Sequence, residues 1–237
     1  MPLKLQTIFF TVALLTSSTI IRAQNDNFML WSDYNLVIVK NSFLFGGDVG
    51  VRGLLTDPGF NQFVFRPTMW YKANPTFTFG AGAGLFSSIL SNGFNYHEFR
   101  LQQEVTAKWP NFSWGSMITR LRIDERYFFY NNEVGGNEFN GRIRPMIGIK
   151  TKAFDIFNCE KPIYFQTHWE GFQNFDEAAI TEILVNNTRL YLSFGQQISK
   201  GFKYEIHYIW QQSGLFNDFG INTQQHIIRL RIFHIIQ

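Results

Sequence analysis

Apolar and polar residues alternate one by one over most of the chain that follows Gln24. In 117–129, for example, Leu121 and Ile123 alternate with Arg120 and Arg122. Successive side chains of a β-strand point to opposite faces of its sheet, so each such segment has one apolar and one polar face. Eleven segments of this kind follow one another. The pattern predicts an all-β, antiparallel fold.

Two kinds of fold can use this pattern. A soluble sandwich or a lipocalin-like barrel turns the apolar face inward, whereas a transmembrane barrel turns it outward to lipid and lines its lumen with the polar face. The second is favoured because most segments have about ten residues or more, enough for a tilted strand to cross a bilayer. Aromatic residues also gather near the segment ends, where membrane barrels carry interfacial girdles. They are Trp31, Tyr71, Phe77, Trp109, Trp114, Tyr127–Tyr130, Phe202 and Trp210.

The connections between the segments alternate in length, as periplasmic turns and extracellular loops do. Short connections fall at 40–42, 73–75, 110–112 and 199–201, and a somewhat longer one at 154–161; long connections fall at 54–61, 87–95, 130–140, 172–186 and 213–224. With eleven strands, the first and the last would have to pair in parallel, whereas bacterial barrels have even strand numbers. We therefore expect about twelve strands, within a range of 10–12. Either one strand is not recognised, or Gln24–Phe28 passes through the lumen.

The N-terminus predicts export. Residues 1–23 have the form of a cleaved signal peptide, in which Lys4 precedes a mostly apolar core and Ala23 offers the cleavage point. The mature chain, 24–237, is then a single barrel domain in the cell outer membrane. Cleavage removes Lys4 and Arg22 and no acid, which lowers the net charge from +3 to +1. So small a charge gives no support for nucleic-acid binding.

Composition excludes other classes. Charged residues make up 16% of the 237 residues, well below the quarter or so of a typical soluble domain. The single cysteine, Cys159, excludes a disulfide framework and a cysteine-based zinc site. The alternating Gly80, Gly82 and Gly84 lack the spacing of a nucleotide loop and leave lumen space or let a loop or the N-terminal stretch pack closely. The acidic stretch Asp176–Glu182 lacks a calcium-ligand pattern. We expect no cofactor and no metal.

The layout resembles an uncharacterised outer-membrane barrel family of Gram-negative bacteria, domain-of-unknown-function family 2490. The resemblance covers roughly residues 28–236. It rests on Leu30–Trp31–Ser32, on Arg120–Leu121–Arg122 with the stretch that runs on to Asp124–Tyr127, and on the closing Ile228–Arg229–Leu230–Arg231. The terminal Gln237 departs from the aromatic C-terminus of many barrels. The resemblance implies an outer-membrane barrel and no known activity.

The polar face is the candidate functional region. Sixteen of its charged residues are predicted to line the lumen: Arg52, Arg66, Glu98, Arg100, Glu104, Arg120, Arg122, Asp124, Arg126, Arg142, Arg144, Glu170, Arg189, Glu205, Arg229 and Arg231. In the structural interpretation these side chains pair as arginine–carboxylate ladders that fill the interior. In the functional interpretation the excess of arginine draws small polar or anionic solutes along a narrow pore.

Two further functions stay open. His168, Ser193 and His207 are predicted to lie at similar depth, and a serine, a histidine and an acid are the parts of a barrel-embedded lipid hydrolase or acyltransferase. Ser193 is predicted to face inward, away from lipid, and no Gly-x-Ser-x-Gly motif occurs. The third possibility is a scaffold or partner subunit that holds another envelope protein. A non-enzymatic barrel, in contact with outer-membrane lipid, is the favoured reading.

Overall fold

A computed structural model describes residues 27–55, 59–90, 95–131, 137–154, 161–175, 187–214 and 222–237. The strands are β1 (Asn27–Lys40), β2 (Phe43–Leu54), β3 (Asn61–Lys72), β4 (Phe77–Ile89), β5 (Tyr96–Lys108), β6 (Gly115–Tyr130), β7 (Glu138–Thr151), β8 (Ile163–Gly171), β9 (Gln173–Asn174), β10 (Asn187–Gln197), β11 (Phe202–Gly214) and β12 (Asn222–Ile236). No described residue belongs to a helix long and apolar enough to cross a membrane. The predicted signal peptide, Cys159 and 176–182 lie outside the described residues.

Eleven strands close into one barrel. Neighbours pair antiparallel from β1 to β8, then β8 with β10, β10 with β11 and β11 with β12. β1 and β12 close the barrel in parallel, from Asn27 opposite Gln225 to Ile38 opposite Ile236. The remaining strand, β9, has two residues and pairs with β7. The predicted all-β barrel of 10–12 strands is confirmed.

The parallel closure is the arrangement that the sequence analysis set aside. The extra strand, β9, does not intervene between β1 and β12, which pair directly. Of the stretch Gln24–Phe28, residues 24–26 lie outside the described residues, and Phe28, the second residue of β1, does not pass through the lumen but lies on the outer face, where it is 41% exposed. An odd number of strands joined by hairpins leaves the first and last strands pointing the same way. Such a barrel can close only through a parallel pair.

The barrel turns its apolar face outward and its polar face inward. Phe65, Leu121 and Ile206 are 46%, 46% and 44% exposed on the outer surface. Inside, Asp124 and Glu170 are 0% and 1% exposed. This arrangement is the reverse of a soluble sandwich or a lipocalin-like barrel. The polarity of the two faces is therefore the one that the transmembrane alternative predicts.

Aromatic side chains surround the end of the barrel that carries the short turns. Exposed rings there belong to Phe43, Tyr71, Phe77, Trp109, Trp114 and Phe202. Trp31 was expected in such a girdle, but it lies inside the barrel and is only 4% exposed. Its neighbour Leu30 takes the outward position, because side chains alternate along β1.

Two local features shape the lumen. Ile209 and Ile227 are fully buried beside Met29, Trp31 and Tyr191 and form an apolar cluster inside the barrel, on the β10–β11–β12–β1 side. Next to this side, since β8 pairs with β10, the β7–β8 ladder covers only the residues from Met146 to Lys150 of β7. Pro145, next to Met146, has no N–H to donate to a ladder. Just beyond β8, Phe172 is buried, and its ring stands beside interior arginines.

Candidate functional site

The structure places all sixteen predicted lumen residues on the inner face, and none of them is exposed. Asp33 and Asp48 lie there too, so that, within the described part of the chain, eleven interior arginines face seven interior carboxylates. An excess of buried positive charge is costly unless other groups stabilise it. The contacts of each arginine therefore decide what the interior can do.

Asp124 on β6 is the centre of the largest ion network. Its Oδ2 accepts hydrogen bonds from Arg142 at 2.7 Å and from Arg144 at 3.1 Å. Arg100 lies 3.7 Å from the same oxygen and donates to Glu98 at 2.6 Å. The partners come from β5 and β7, the two strands that flank β6. One carboxylate thus ties three strands together.

Glu170 on β8 extends this network to the next strands. It accepts hydrogen bonds from Arg144 at 2.9 Å, from Arg120 at 2.6 Å and from the Tyr191 hydroxyl at 3.0 Å. Arg120 also lies 3.9 Å from Glu104. The complete network contains Arg100, Arg120, Arg122, Arg126, Arg142 and Arg144 with Glu98, Glu104, Asp124 and Glu170.

Glycines on β4 make room for the edge of this network. Arg122 binds Glu104 through Nε at 2.8 Å and Nη2 at 2.5 Å, and the Trp70 indole donates to the same carboxylate at 2.7 Å. A Cβ at Gly80 would lie 2.6 Å from the Trp70 ring and 2.8 Å from Glu104 Cγ. A Cβ at Gly82 would meet the carbonyl oxygen of Pro67 and the side chains of Thr68 and Gln102, and one at Gly84 would meet the side chains of Phe86 and Arg66, so the space above all three glycines is occupied by neighbours on the barrel wall.

A smaller set of pairs lines the other side of the barrel. Arg229 donates to Asp33 at 2.5 Å across the parallel seam between β12 and β1. Arg66 forms a two-pronged pair with Asp48, at 3.0 and 2.6 Å, between β3 and β2. Arg231 donates to the amide oxygen of Asn35 on β1, at 2.8 Å. These contacts hold four strands in register from within.

Arg52 and Arg189 differ from the other nine interior arginines. Within the described residues, neither has a carboxylate within ion-pair distance. Arg52 donates to the amide oxygen of Gln62 at 3.0 Å, and Arg189 donates to the amide oxygen of Gln211. A neutral oxygen satisfies a hydrogen bond but leaves the positive charge uncompensated.

Aromatic rings stand against these guanidinium groups. Three rings contact three arginines each: Trp31 with Arg52, Arg189 and Arg229; Phe86 with Arg52, Arg66 and Arg100; Phe172 with Arg142, Arg144 and Arg189. The closest guanidinium carbons lie 4.2 Å from the centre of Trp31, 4.1 Å from Phe86 and 4.7 Å from Phe172. At such distances the ring face attracts a cation. These rings fix the arginines and offset part of their charge.

Trp31 was expected in an interfacial girdle, and no role was predicted for Phe86 or Phe172. The signal was available for Trp31 and Phe86, since both fall on the polar register of their strands, opposite Leu30 and Leu85. No such signal exists for Phe172, because it follows the end of β8. An aromatic residue on the arginine-rich polar face of a strand is therefore the sequence pattern that predicts an interior ring in contact with arginines.

The predicted serine and histidines are partly brought together. Ser193 Oγ lies 2.8 Å from His207 Nδ1, and His207 Nε2 lies 3.0 Å from Glu205. A neutral ring that donates from Nε2 to the carboxylate leaves Nδ1 to accept from the hydroxyl. Glu205 also accepts from Tyr164 at 2.7 Å and Lys203 at 2.8 Å. The set is a buried polar chain, and it lines none of the cavities described below.

His168 does not join that chain. Its ring stacks on Tyr191 with 4.0 Å between the ring centres, and the centre of the His207 ring is 6.3 Å away. The last two histidines of the chain lie on β12, where His226 approaches the Tyr208 hydroxyl and His234 that of Tyr34. In the described part of the chain, no group of three or more histidine, cysteine or acidic residues has the arrangement of a metal site.

Three cavities follow one another inside the barrel. The turn-side cavity, of about 380 Å³, reaches Leu44 and Phe233 near the short-turn end. The loop-side cavity, of about 230 Å³, reaches Gln211 and Gln212 near the opposite end of β11. The central cavity, of about 170 Å³, lies between them. The interior is therefore neither completely filled nor open as in a large porin.

Arginines line both boundaries of the central cavity. Arg66, Arg144, Tyr191 and Arg229 border both the turn-side and the central cavity. Toward the other end, the shared residues are Arg126, Arg142 and Arg189. A solute that moved along the barrel would pass guanidinium groups at both boundaries.

A protein-family model with the description "Protein of unknown function (DUF2490)" matches residues 28–222. This chain belongs to that family. The match includes the Leu30–Trp31–Ser32 and Arg120–Leu121–Arg122 motifs on which the resemblance rested, whereas the closing strand residues Ile228–Arg231 lie beyond it. No curated protein matches the chain. Because the family description names no activity, function has to be argued from the geometry.

Proposed function

We propose that this DUF2490 protein is an outer-membrane β-barrel that favours the passage of small anions through its interior. The observation that carries the proposal is the inverted polarity of the barrel. Large apolar side chains cover the outside, while eleven arginines and seven carboxylates face the inside. Lipid on the outside and solute on the inside are the surroundings that stabilise such a distribution.

Strand length supports the membrane location. The first seven strands have 12 to 16 residues each, and a tilted strand needs about 9–11 residues to cross a bilayer. The exposed aromatic side chains at the short-turn end suit a membrane–water interface. The predicted signal peptide in 1–23 supplies the export that such a location requires.

Cysteine labelling in native cell envelopes tests this location. Phe65→Cys, Leu121→Cys and Ile206→Cys are made separately in a Cys159→Ser background and treated with a water-borne thiol reagent. We expect labelling only after denaturation, because lipid covers these positions in the intact envelope. Lys200→Cys, in an exposed turn, is the positive control. Ready modification of the three outer-face positions in intact envelopes would overturn the proposal.

The charge of the interior supports anions rather than cations as the solute. Among the described residues of the interior, arginines exceed carboxylates by four, and rings of basic side chains select anions in pores. The three cavities supply the space along the barrel, and Tyr191 stands at the boundary between two of them. The proposed passage is therefore narrow, with its constriction beside Tyr191.

Conductance in planar bilayers tests the passage. We expect wild-type protein to give channels whose reversal potential in a salt gradient shifts toward that of the anion. Tyr191→Ala removes a ring at the constriction and should raise the conductance. Leu192→Ala, on the outer face of the same strand, is the matched control and should not. Heat-dependent gel mobility shows that each variant is folded. Folded wild type that conducts nothing would refute the passage.

The hydrogen-bonded side chains of Ser193, His207 and Glu205 favour a second candidate function, that of a hydrolase. Their contacts of 2.8 and 3.0 Å have the order serine, histidine, acid that activates a serine nucleophile. Against it, Ser193 is 6% exposed and faces the interior. A serine-reactive fluorophosphonate decides between the two. Labelling of folded wild type that Ser193→Ala abolishes would favour the hydrolase, and absence of labelling would leave a structural hydrogen-bond chain.

A further inference from the structure

The central cavity has an unusual surface charge. Among the residues that the structure describes, fourteen line it, and they include eight arginines and one carboxylate, Glu98. Glu98 already accepts hydrogen bonds from Arg100 at 2.6 Å and from Arg126 at 2.8 Å. The carboxylates that pair with the other lining arginines, such as Asp33 and Asp48, do not line the cavity. The charge that faces the cavity itself is therefore strongly positive.

Arg52 and Arg189 contribute the unbalanced part of this charge. Both line the cavity, and neither has a carboxylate within ion-pair distance among the described residues. Their guanidinium carbons lie 4.2 and 5.4 Å from the centre of the same Trp31 ring. The amide oxygens of Gln62 and Gln211 hold one N–H of each group. The two forks are thus positioned by neutral groups, and donors remain for a ligand.

The chemistry of these groups selects a class of ligand. Guanidinium forks match anions that offer two oxygens at once, and they bind them more strongly in a low-dielectric site than in water. A cavity of about 170 Å³ has room for several water molecules or for one small anion, but not for a lipid. We infer that the central cavity is a binding site for a small oxyanion of the phosphate or carboxylate type, held by Arg52 and Arg189 beside Trp31.

The inferred site narrows the solutes of the proposed passage to small oxyanions. It rests on the proposed function in one respect, because an anion must be able to reach the cavity from solvent. Binding does not require conduction. A barrel that binds an oxyanion and conducts nothing would refute the passage and keep the site. A barrel that conducts chloride and does not prefer oxyanions would refute the site and keep the passage.

Inorganic phosphate is the probe, and folded full-length protein in a phosphate-free maltoside detergent is the sample. Isothermal titration calorimetry and thermal unfolding are measured with phosphate and with chloride at equal ionic strength. We expect phosphate, and not chloride, to bind and to raise the unfolding temperature. Arg52→Gln and Arg189→Gln should each weaken phosphate binding about tenfold or more, as the loss of a charge-assisted hydrogen bond implies.

Two further variants separate a specific site from a general field. Lys150→Gln removes one interior positive charge that stands over Tyr164, away from the central cavity, and should leave phosphate affinity unchanged. Arg52→Lys keeps the charge and loses the fork, and should fall between wild type and Arg52→Gln. The site would be overturned if phosphate and chloride bound equally and raised the unfolding temperature equally, or if Lys150→Gln and Arg52→Gln lost the same phosphate affinity. It would also be overturned if anionic phospholipid stabilised the protein and phosphate did not.

Discussion

Replacing Asp124 with asparagine tests whether the interior ion network is dry and necessary. The change keeps the shape of the side chain and removes the charge that faces Arg142, Arg144 and Arg100. Breaking a buried ion pair by removing one partner costs about 3–5 kcal/mol. Both hydrogen bonds fall on one oxygen, Oδ2, and an asparagine oxygen can take that position. We therefore expect the lower end of the range, about 3 kcal/mol.

Urea unfolding in lipid vesicles, followed by tryptophan fluorescence, measures this loss. With an m-value of about 2–3 kcal/mol/M, the midpoint should fall by about 1–1.5 M. Glu138→Gln is the control, because Glu138 lies on the adjoining strand, is exposed, and accepts from Tyr130 a hydrogen bond of 3.2 Å. Its free energy of unfolding should stay within about 0.5 kcal/mol of the wild-type value. A midpoint for Asp124→Asn equal to that of Glu138→Gln would refute the reasoning. Water would then solvate the three guanidinium groups.

Two further variants test particular contacts. Gly82→Ala should lower the free energy of unfolding by about 1–3 kcal/mol, because its Cβ would lie 2.6 Å from the carbonyl oxygen of Pro67. Gly53→Ala is its control: the nearest atom to the new Cβ would lie at 3.6 Å, so the same urea titration should show almost no change. Ser193→Ala should lower stability by about 1–3 kcal/mol, because it leaves buried His207 Nδ1 without its hydroxyl partner, and should not change conductance. Loss of conductance in folded Ser193→Ala would show that the chain belongs to the passage.

Most of the fold could be predicted because side-chain alternation is a local property. A strand's two faces differ every second residue, so Leu121 and Arg122 identify their faces without knowledge of any partner strand. The interior position of all eleven mature arginines follows from the same rule. The membrane location and the passage remain predictions because each depends on the surroundings of the chain, and the signal peptide remains one because residues 1–23 lie outside the described residues.

The closure of the barrel could not be predicted in this way. Eleven segments imply parallel first and last strands, and the expectation of an even number outweighed that count. In the parallel ladder between β1 and β12, Trp31 lies opposite Arg229, and these two residues are far apart in the sequence. Nor does alternation show which arginine meets which acid, because that depends on the register between strands.

The unequal numbers of arginines and carboxylates connect these results. The eleven interior arginines outnumber by four the interior carboxylates that the structure describes, so several arginines share one acid, and isolated buried ions are too costly for a stable barrel. Amide oxygens and ring faces meet part of this need at Arg52 and Arg189, but neither carries a full negative charge. The remainder has to come from water or from a mobile anion. A large loss of stability in Asp124→Asn would exclude abundant water, and the central cavity would then require the anion that the phosphate titration detects.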